Sequence, residues 1–395
     1  MNCSPVAISG IGCISAAGLN LFGCMDSMLN GECCCNPPVR FSSSHSVIYP
    51  VFEVLEDFSS IVFNDKLQVS RTCKMAVAAA CEAIDKARWD RKQMQNRRVG
   101  VCIGTTVGCA MNDEHFYKEY RAGLKPDMMP IKRFLASNPA AVIAREFNLT
   151  GPCQTIINAC SSGTDAIGLG AAWIRSGICD AVIAGGSDEL CRFTYNGFIS
   201  MMITDDLPCR PFDKTRRGLN LGEGSAVLIL ESEDMVDLRK QPAIAHVFGY
   251  GSVSDAYHLT TPRPDGKGLK RAIAFALETS GIRAENIAFV NAHGTGTADN
   301  DRVEASVLSE ILPGIPFFST KGYTGHTLGA AGAIEAALTS AFLERGEIPA
   351  SAGFTIRDPE LPVSPLQYNK KISGCFAISE SLAFGGGNAV LVLGR

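Results

Sequence analysis

The sequence predicts an α/β fold on three observations: short apolar strand-like runs recur along its 395 residues, alanine-rich stretches with helical spacing separate them, and many runs end in glycine turns. Strands are expected at 6–12, 99–104, 181–186, 226–230, 287–291 and 389–394, each a compact run of β-branched and small apolar residues. Helices are expected at 70–88, 162–175, 267–280 and 329–344. The charged stretch 230–242, ending in Gln241-Pro242, is the best division point. It predicts two halves, 1–240 and 241–395, packed as one body.

Composition narrows the function classes. With 46% hydrophobic and 19% charged residues and a formal net charge of −4, the chain has no basic footprint for nucleic acid. No apolar run approaches the roughly 20 residues that span a bilayer, and the first basic residue is Arg40, so the expected location is the cytoplasm. The sixteen cysteines are scattered through apolar segments, which suits reduced, buried small side chains better than disulfides. Cys33, Cys34 and Cys35 are adjacent but have no neighbouring histidine to complete a zinc site, and no metal is expected. Gly10-x-Gly12 after a strand invites a dinucleotide reading, yet Ser15 stands where the third glycine belongs, and a structural turn is preferred.

Three motifs carry chemistry. Asn158-Ala159-Cys160-Ser161-Ser162-Gly163-Thr164 joins an apolar stretch to a small-residue helix, which sets Cys160 on a sharp turn at a helix start. There the helix dipole and free N–H groups favour a thiolate and can receive a thioester oxygen. Read alone, Cys160 is one more buried cysteine. Asn291-Ala292-His293-Gly294-Thr295-Gly296-Thr297 follows an apolar strand, and Lys321-Gly322-Tyr323-Thr324-Gly325-His326 precedes the helix at 329–344. Two of only six histidines thus stand in glycine-lined turns, and with the cysteine they make a catalytic set. Glu335, on an otherwise apolar helix, wants a cationic partner such as Lys321. Three glycines, Gly385 to Gly387, precede the last strand as a loop or a gate beside Phe384.

Together, Ala159-Cys160-Ser161-Ser162-Gly163, His293 to Thr297, and Lys321 through Gly332 resemble the β-ketoacyl synthases of the thiolase superfamily, in order and in spacing. Arg210-Pro211-Phe212-Asp213, Gly222-Glu223-Gly224, Ser254 to His258 and Phe384 to Asn388 extend the likeness over almost the whole chain. The resemblance implies a thiolase fold, two similar halves in a five-layered αβαβα sandwich, and a dimer whose interface helps shape the acyl pocket. It implies a synthase that needs no bound cofactor and works on substrates carried by the phosphopantetheine arm of an acyl carrier protein.

On that resemblance, Cys160 takes the acyl chain, and His293 and His326 assist decarboxylation of malonyl carrier protein. Lys321 and Glu335 support His326, and the backbone N–H groups of Cys160 and Phe384 form the oxyanion hole. Thr295 and Thr297 hold the pantetheine arm, Asp301 is structural, and Val107, Phe198 and Phe384 line or gate the acyl pocket. Met201 and Met202 lie where family members often carry an arginine that meets the carrier, which leaves Arg71, Lys74, Lys132 and Arg133 as docking candidates. Leu219-Asn220-Leu221 and Gly322-Tyr323 also depart from the usual pattern and point to a specialised polyene or polyketide branch, where the partner is a second copy or a synthase-like subunit. Two alternatives stay open: a coenzyme A thiolase, although Cys375-Phe376-Ala377 does not reproduce the thiolase Cys-x-Gly, and a non-catalytic chain-length partner.

Overall fold

The computed structural model describes residues 4–59, 61, 68–106 and 113–395. Its strands are β1 (Val6–Ser15), β2 (Val99–Gly104), β3 (Cys153–Ile156), β4 (Ala181–Asp188), β5 (Gly224–Glu231), β6 (Ala245–Ser254), β7 (Ile287–Asn291), β8 (Phe317–Phe318), β9 (Glu347–Ile348), β10 (Lys370–Lys371), β11 (Phe376–Ala383) and β12 (Gly387–Gly394). Ten of them form one sheet in the order β3-β2-β4-β5-β1-β6-β12-β11-β7-β8. The four helices expected from sequence are present as Arg71–Lys86, Ser162–Arg175, Lys267–Ser280 and Ala331–Arg345.

The sheet order hides a repeat that the sequence did not display. The run β3-β2-β4-β5-β1 is matched, read from the other edge, by β8-β7-β11-β12-β6. Pairing directions agree strand for strand: β2 with β3 and β4 is parallel, as β7 is with β8 and β11, while β5 with β1 and β4 is antiparallel, as β12 is with β6 and β11. The halves meet edge to edge where Val6, Ala7 and Ile8 pair with Val247, His246 and Ala245.

The helices supply the remaining layers. Arg71–Lys86 covers the first half and Lys267–Ser280 the second, while Ser162–Arg175 and Ala331–Arg345 pack between the halves against strands of both. Every residue from Ala331 to Leu343 is buried, so the apolar character on all sides of that helix follows from its central place. This is the five-layered arrangement expected.

Gly10 and Gly12 have a packing reason and are not a turn, since β1 runs on to Ser15. A Cβ on Gly10 would collide with the carbonyl oxygen of Ala83, and one on Gly12 with that of Ala79, both on the helix Arg71–Lys86. The second half repeats the device: Gly249 and Gly251 of β6 lie against the carbonyls of Ala276 and Ala272. Helix and strand approach this closely only where side chains are absent.

Candidate active site

The nucleophile turn leaves β3 and enters the helix Ser162–Arg175 through Ala159, whose φ of 47° is a left-handed conformation costly for a residue with a Cβ. Its carbonyl oxygen accepts from Ser162 Oγ at 2.7 Å and from Thr106 Oγ1 at 3.3 Å. Asp165 accepts from Asn158 Nδ2 at 2.6 Å, Ser161 Oγ at 2.8 Å and the Tyr250 hydroxyl at 2.6 Å. These bonds hold the strained turn, and Cys160 lies buried at its apex with 4% exposure.

Burial is the largest influence on that thiol and pushes its pKa up to about 11. The Phe384 backbone N–H and the Lys321 charge act in the opposite direction and recover only part of the shift. Desolvation thus opposes the thiolate that the helix start and the nearby N–H groups favour.

His293 follows β7, and its backbone is pinned by a carboxylate that the sequence reading missed. Glu304 on the helix Ala298–Ile311 accepts from the N–H of His293 at 2.5 Å and of Gly294 at 2.8 Å. Asp301, one turn earlier, accepts from the N–H of Thr295 at 3.1 Å, Gly296 at 3.2 Å and Phe212 at 2.7 Å. It builds the turn, as the structural reading expected. An acidic i, i+3 pair directly after a glycine-rich loop was the available signal for Glu304.

Lys321 and Glu335 do pair, both buried, but they serve a different histidine from the one expected. Lys321 Nζ lies 3.1 Å from His293 Nδ1 and donates to the His293 carbonyl at 2.6 Å. His326 is held by backbone instead: its N–H donates to Asn220 O at 2.8 Å, and its Nδ1 accepts from the Leu328 N–H at 3.1 Å. Asn220, noted only as a departure, thus positions a histidine through its carbonyl.

The two imidazoles stand 5.3 Å apart, centroid to centroid, at 86°. With each Nδ1 occupied as an acceptor, a neutral ring carries its proton on Nε2. Burial is the first cause holding both rings well below the ordinary imidazole pKa, with the Lys321 charge next.

Cys160, His293, His326, Thr295, Thr297 and Phe384 all line one cavity of about 250 Å³. Thr295 Oγ1 and Thr297 Oγ1 are 2.8 Å apart. The Phe384 ring stacks on Phe198, centroids 5.6 Å apart at 14°, beside Gly385 and Gly386, both at positive φ. Asp188, also missed, ties the floor together by accepting from Thr105 Oγ1 at 2.6 Å, Thr106 N–H at 2.8 Å and Gly329 N–H at 2.7 Å. Among the described residues no group of three or more His, Cys, Asp or Glu is placed to hold a metal.

The remaining candidates fall elsewhere. Val107 lies outside the described residues. Arg71 is spent internally: Nε and Nη2 bind the fully buried Glu223 at 3.2 and 3.1 Å, and its other donors hold the carbonyls of Glu56 and Val54. It is not a free docking cation, because its donors are engaged on Glu223, which Arg40 also binds, and on those two carbonyls. Lys74 and Arg133 border a shallow groove with Arg71, apart from the catalytic cavity, while Lys132 is exposed. Cys375 is exposed and does not line the cavity, which leaves Cys160 as its one cysteine among the described residues.

Comparison with known proteins agrees with this geometry. Residues 3–235 match the family described as beta-ketoacyl synthase, N-terminal domain, and residues 244–355 match beta-ketoacyl synthase, C-terminal domain. The chain belongs to the β-ketoacyl synthase family. It is 33% identical to the 3-oxoacyl-[acyl-carrier-protein] synthase 2 of Synechocystis, over 98% of this chain and 97% of the relative, and 30% identical to that of Staphylococcus aureus with the same coverage. Among solved structures it is similar to the ishigamide ketosynthase/chain length factor, at TM-score 0.94 and 30% identity, covering 100% of this chain and 99% of that one. It is also similar to the ketosynthase ApeO in complex with its chain length factor ApeC from Xenorhabdus doucetiae, at TM-score 0.87 and 31% identity, with 99% and 98% covered. Among the described residues no helix is long and apolar enough to cross a membrane.

Proposed function

We propose that this β-ketoacyl synthase is a 3-oxoacyl-[acyl-carrier-protein] synthase whose reacting groups are Cys160, His293 and His326. The observation that carries the reading is the convergence of one buried thiol and two Nε2–H donors on a single cavity. Cys160 Sγ attacks the acyl thioester carbonyl carbon, and the carrier thiol leaves with the proton. Malonyl carrier protein then loses carbon dioxide, and the imidazole N–H groups receive the enolate oxygen that forms. The enolate carbon attacks the acyl-Cys160 carbonyl, the C–S bond breaks, and the thiolate takes up a proton. The N–H groups of Cys160 and Phe384 face the oxygen of each tetrahedral intermediate.

Thr295 and Thr297 take the pantetheine arm in this scheme, and Lys321 with Glu335 positions His293. Phe384, stacked on Phe198, gates the acyl channel, and Val107 keeps its proposed place at the channel's end. The 1–240 and 241–395 halves contribute the nucleophile and the histidines respectively, a division that the repeated topology supports. The free thiols of the described cysteines fit a reducing, cytoplasmic setting.

The partner is a second synthase-like subunit. β3 is an edge strand with exposed residues, and Ile157, which follows it directly, is 71% exposed, an edge that a subunit would cover. The ishigamide and ApeO structures pair a ketosynthase with a chain length factor, which favours a heteromeric polyketide or polyene assembly over a housekeeping homodimer.

The test incubates the protein with acyl carrier proteins of varied chain and follows Cys160 by peptide mass spectrometry, then adds malonyl carrier protein. An acyl adduct that disappears as a 3-oxoacyl product forms is expected. No adduct with any donor overturns the reading.

A further inference from the structure

Among the described residues Arg217 is the one permanent cation lining the catalytic cavity, and it stands at the rim while Cys160 stands at the buried end. Its side chain is 58% exposed. Beside it is Met202, 89% exposed with a φ of 56°, so the position where an arginine was expected to meet the carrier presents a thioether instead. The guanidinium reaches the same opening from a different loop, just before Gly218, Leu219 and Asn220.

The acidic groups around the rim do not consume it. Asp205 is bound by Arg210 at 2.8 Å, Asp255 accepts from the Arg263 N–H and Asn388 Nδ2, and Asp299 is held by Arg302. Asp205 and Asp206 both meet Arg217 at Nη2, at 3.3 and 2.6 Å, which leaves the Nε and Nη1 donors for other acceptors. A permanently charged guanidinium with open N–H donors suits a phosphate oxygen.

We propose that Arg217 anchors the phosphodiester of the pantetheine arm, so that the arm runs from the rim past Thr297 and Thr295 to Cys160. This rests on the synthase reading and adds the group that sets the arm's depth. Arg217 is a positioning residue: it touches the carrier's prosthetic arm, far from the reacting atoms.

The experiment compares acyl transfer to Cys160 from three donors: an acyl N-acetylcysteamine thioester without phosphate, an acyl phosphopantetheine, and an acyl carrier protein. In Arg217→Ala the ratio of kcat/KM for acyl phosphopantetheine to that for the N-acetylcysteamine thioester is expected to fall about tenfold. The loss should sit in KM, be partly restored in Arg217→Lys, and shrink as salt is raised. An unchanged ratio in a folded variant overturns the proposal. So does a loss confined to the carrier protein, which assigns Arg217 to the protein surface. Failure of all three donors to label Cys160 in the unaltered protein is a distinct result, and sinks the synthase reading beneath it.

Discussion

Lys321 Nζ bridges His293 Nδ1 and Glu335, so the ring nitrogen facing away from the cavity is filled by a cation's proton and the one facing it must be a donor. Removing the lysine alone leaves the Glu335 carboxylate buried without its partner. Lys321→Ala is therefore expected to destabilise the fold by about 3 kcal/mol and to abolish condensation. The paired change Lys321→Met with Glu335→Leu should recover most of that stability without recovering condensation. Chemical denaturation and a condensation assay separate the two effects, and a condensing double variant would falsify the orienting role.

The two histidines should behave alike toward acid. Because both are held well below the ordinary imidazole range, they remain neutral, and remain donors, as pH falls through about 6.5. The decarboxylation rate should show no acid limb there. Loss of either donor, as in His293→Ala or His326→Ala, should lower condensation by about 100- to 1000-fold while some acyl loading persists. A rate that halves near the normal imidazole pKa would contradict the neutral-donor account.

Cys160 should be slow toward alkylating agents at neutral pH. Its thiol is pushed up to about 11 by burial, so its iodoacetamide labelling should climb steadily beyond the pH at which a free thiol is already labelled, with the exposed Cys375 followed beside it as an accessibility control. Peptide mapping across pH measures both cysteines in one sample. A Cys160 midpoint at or below that of an ordinary thiol would show that the helix start wins over desolvation after all.

These properties divide cleanly into what local sequence encodes and what it cannot. The helix Ser162–Arg175 and the turns at His293 and His326 were legible because glycine, small residues and apolar runs mark strand-to-turn junctions locally. β6 was not, because Gly249 and Gly251 break its apolar pattern for the sake of a helix more than twenty residues further on. The match between β1-β5 and β6-β12 was invisible for a related reason: topology and the close helix approach are repeated, whereas the side chains are not. Lys321 was assigned to His326, its neighbour in sequence, yet the contact runs to a residue twenty-eight positions away. Arg71 was offered as a surface cation because nothing local announces that Glu223 lies buried beneath it.

Behind His293 the buried carboxyl groups of Glu304 and Glu380 make a pH-dependent contribution to stability. Burial raises both, Glu304 to about 6 and Glu380 well above its ordinary value, where the neighbouring Glu304 charge adds to the effect. A folded pKa above the unfolded one means the native state binds the proton more tightly, so the stabilisation is complete below about 4.5 and is lost as pH rises through the folded value. Glu380→Gln keeps the shape and removes one titrating group of the pair. The variant's melting temperature should therefore fall less between pH 5 and pH 8 than that of the unaltered protein, with the advantage greatest at pH 8. Differential scanning fluorimetry across that range measures it, and parallel curves for the two proteins would mean that folding does not raise the Glu380 pKa.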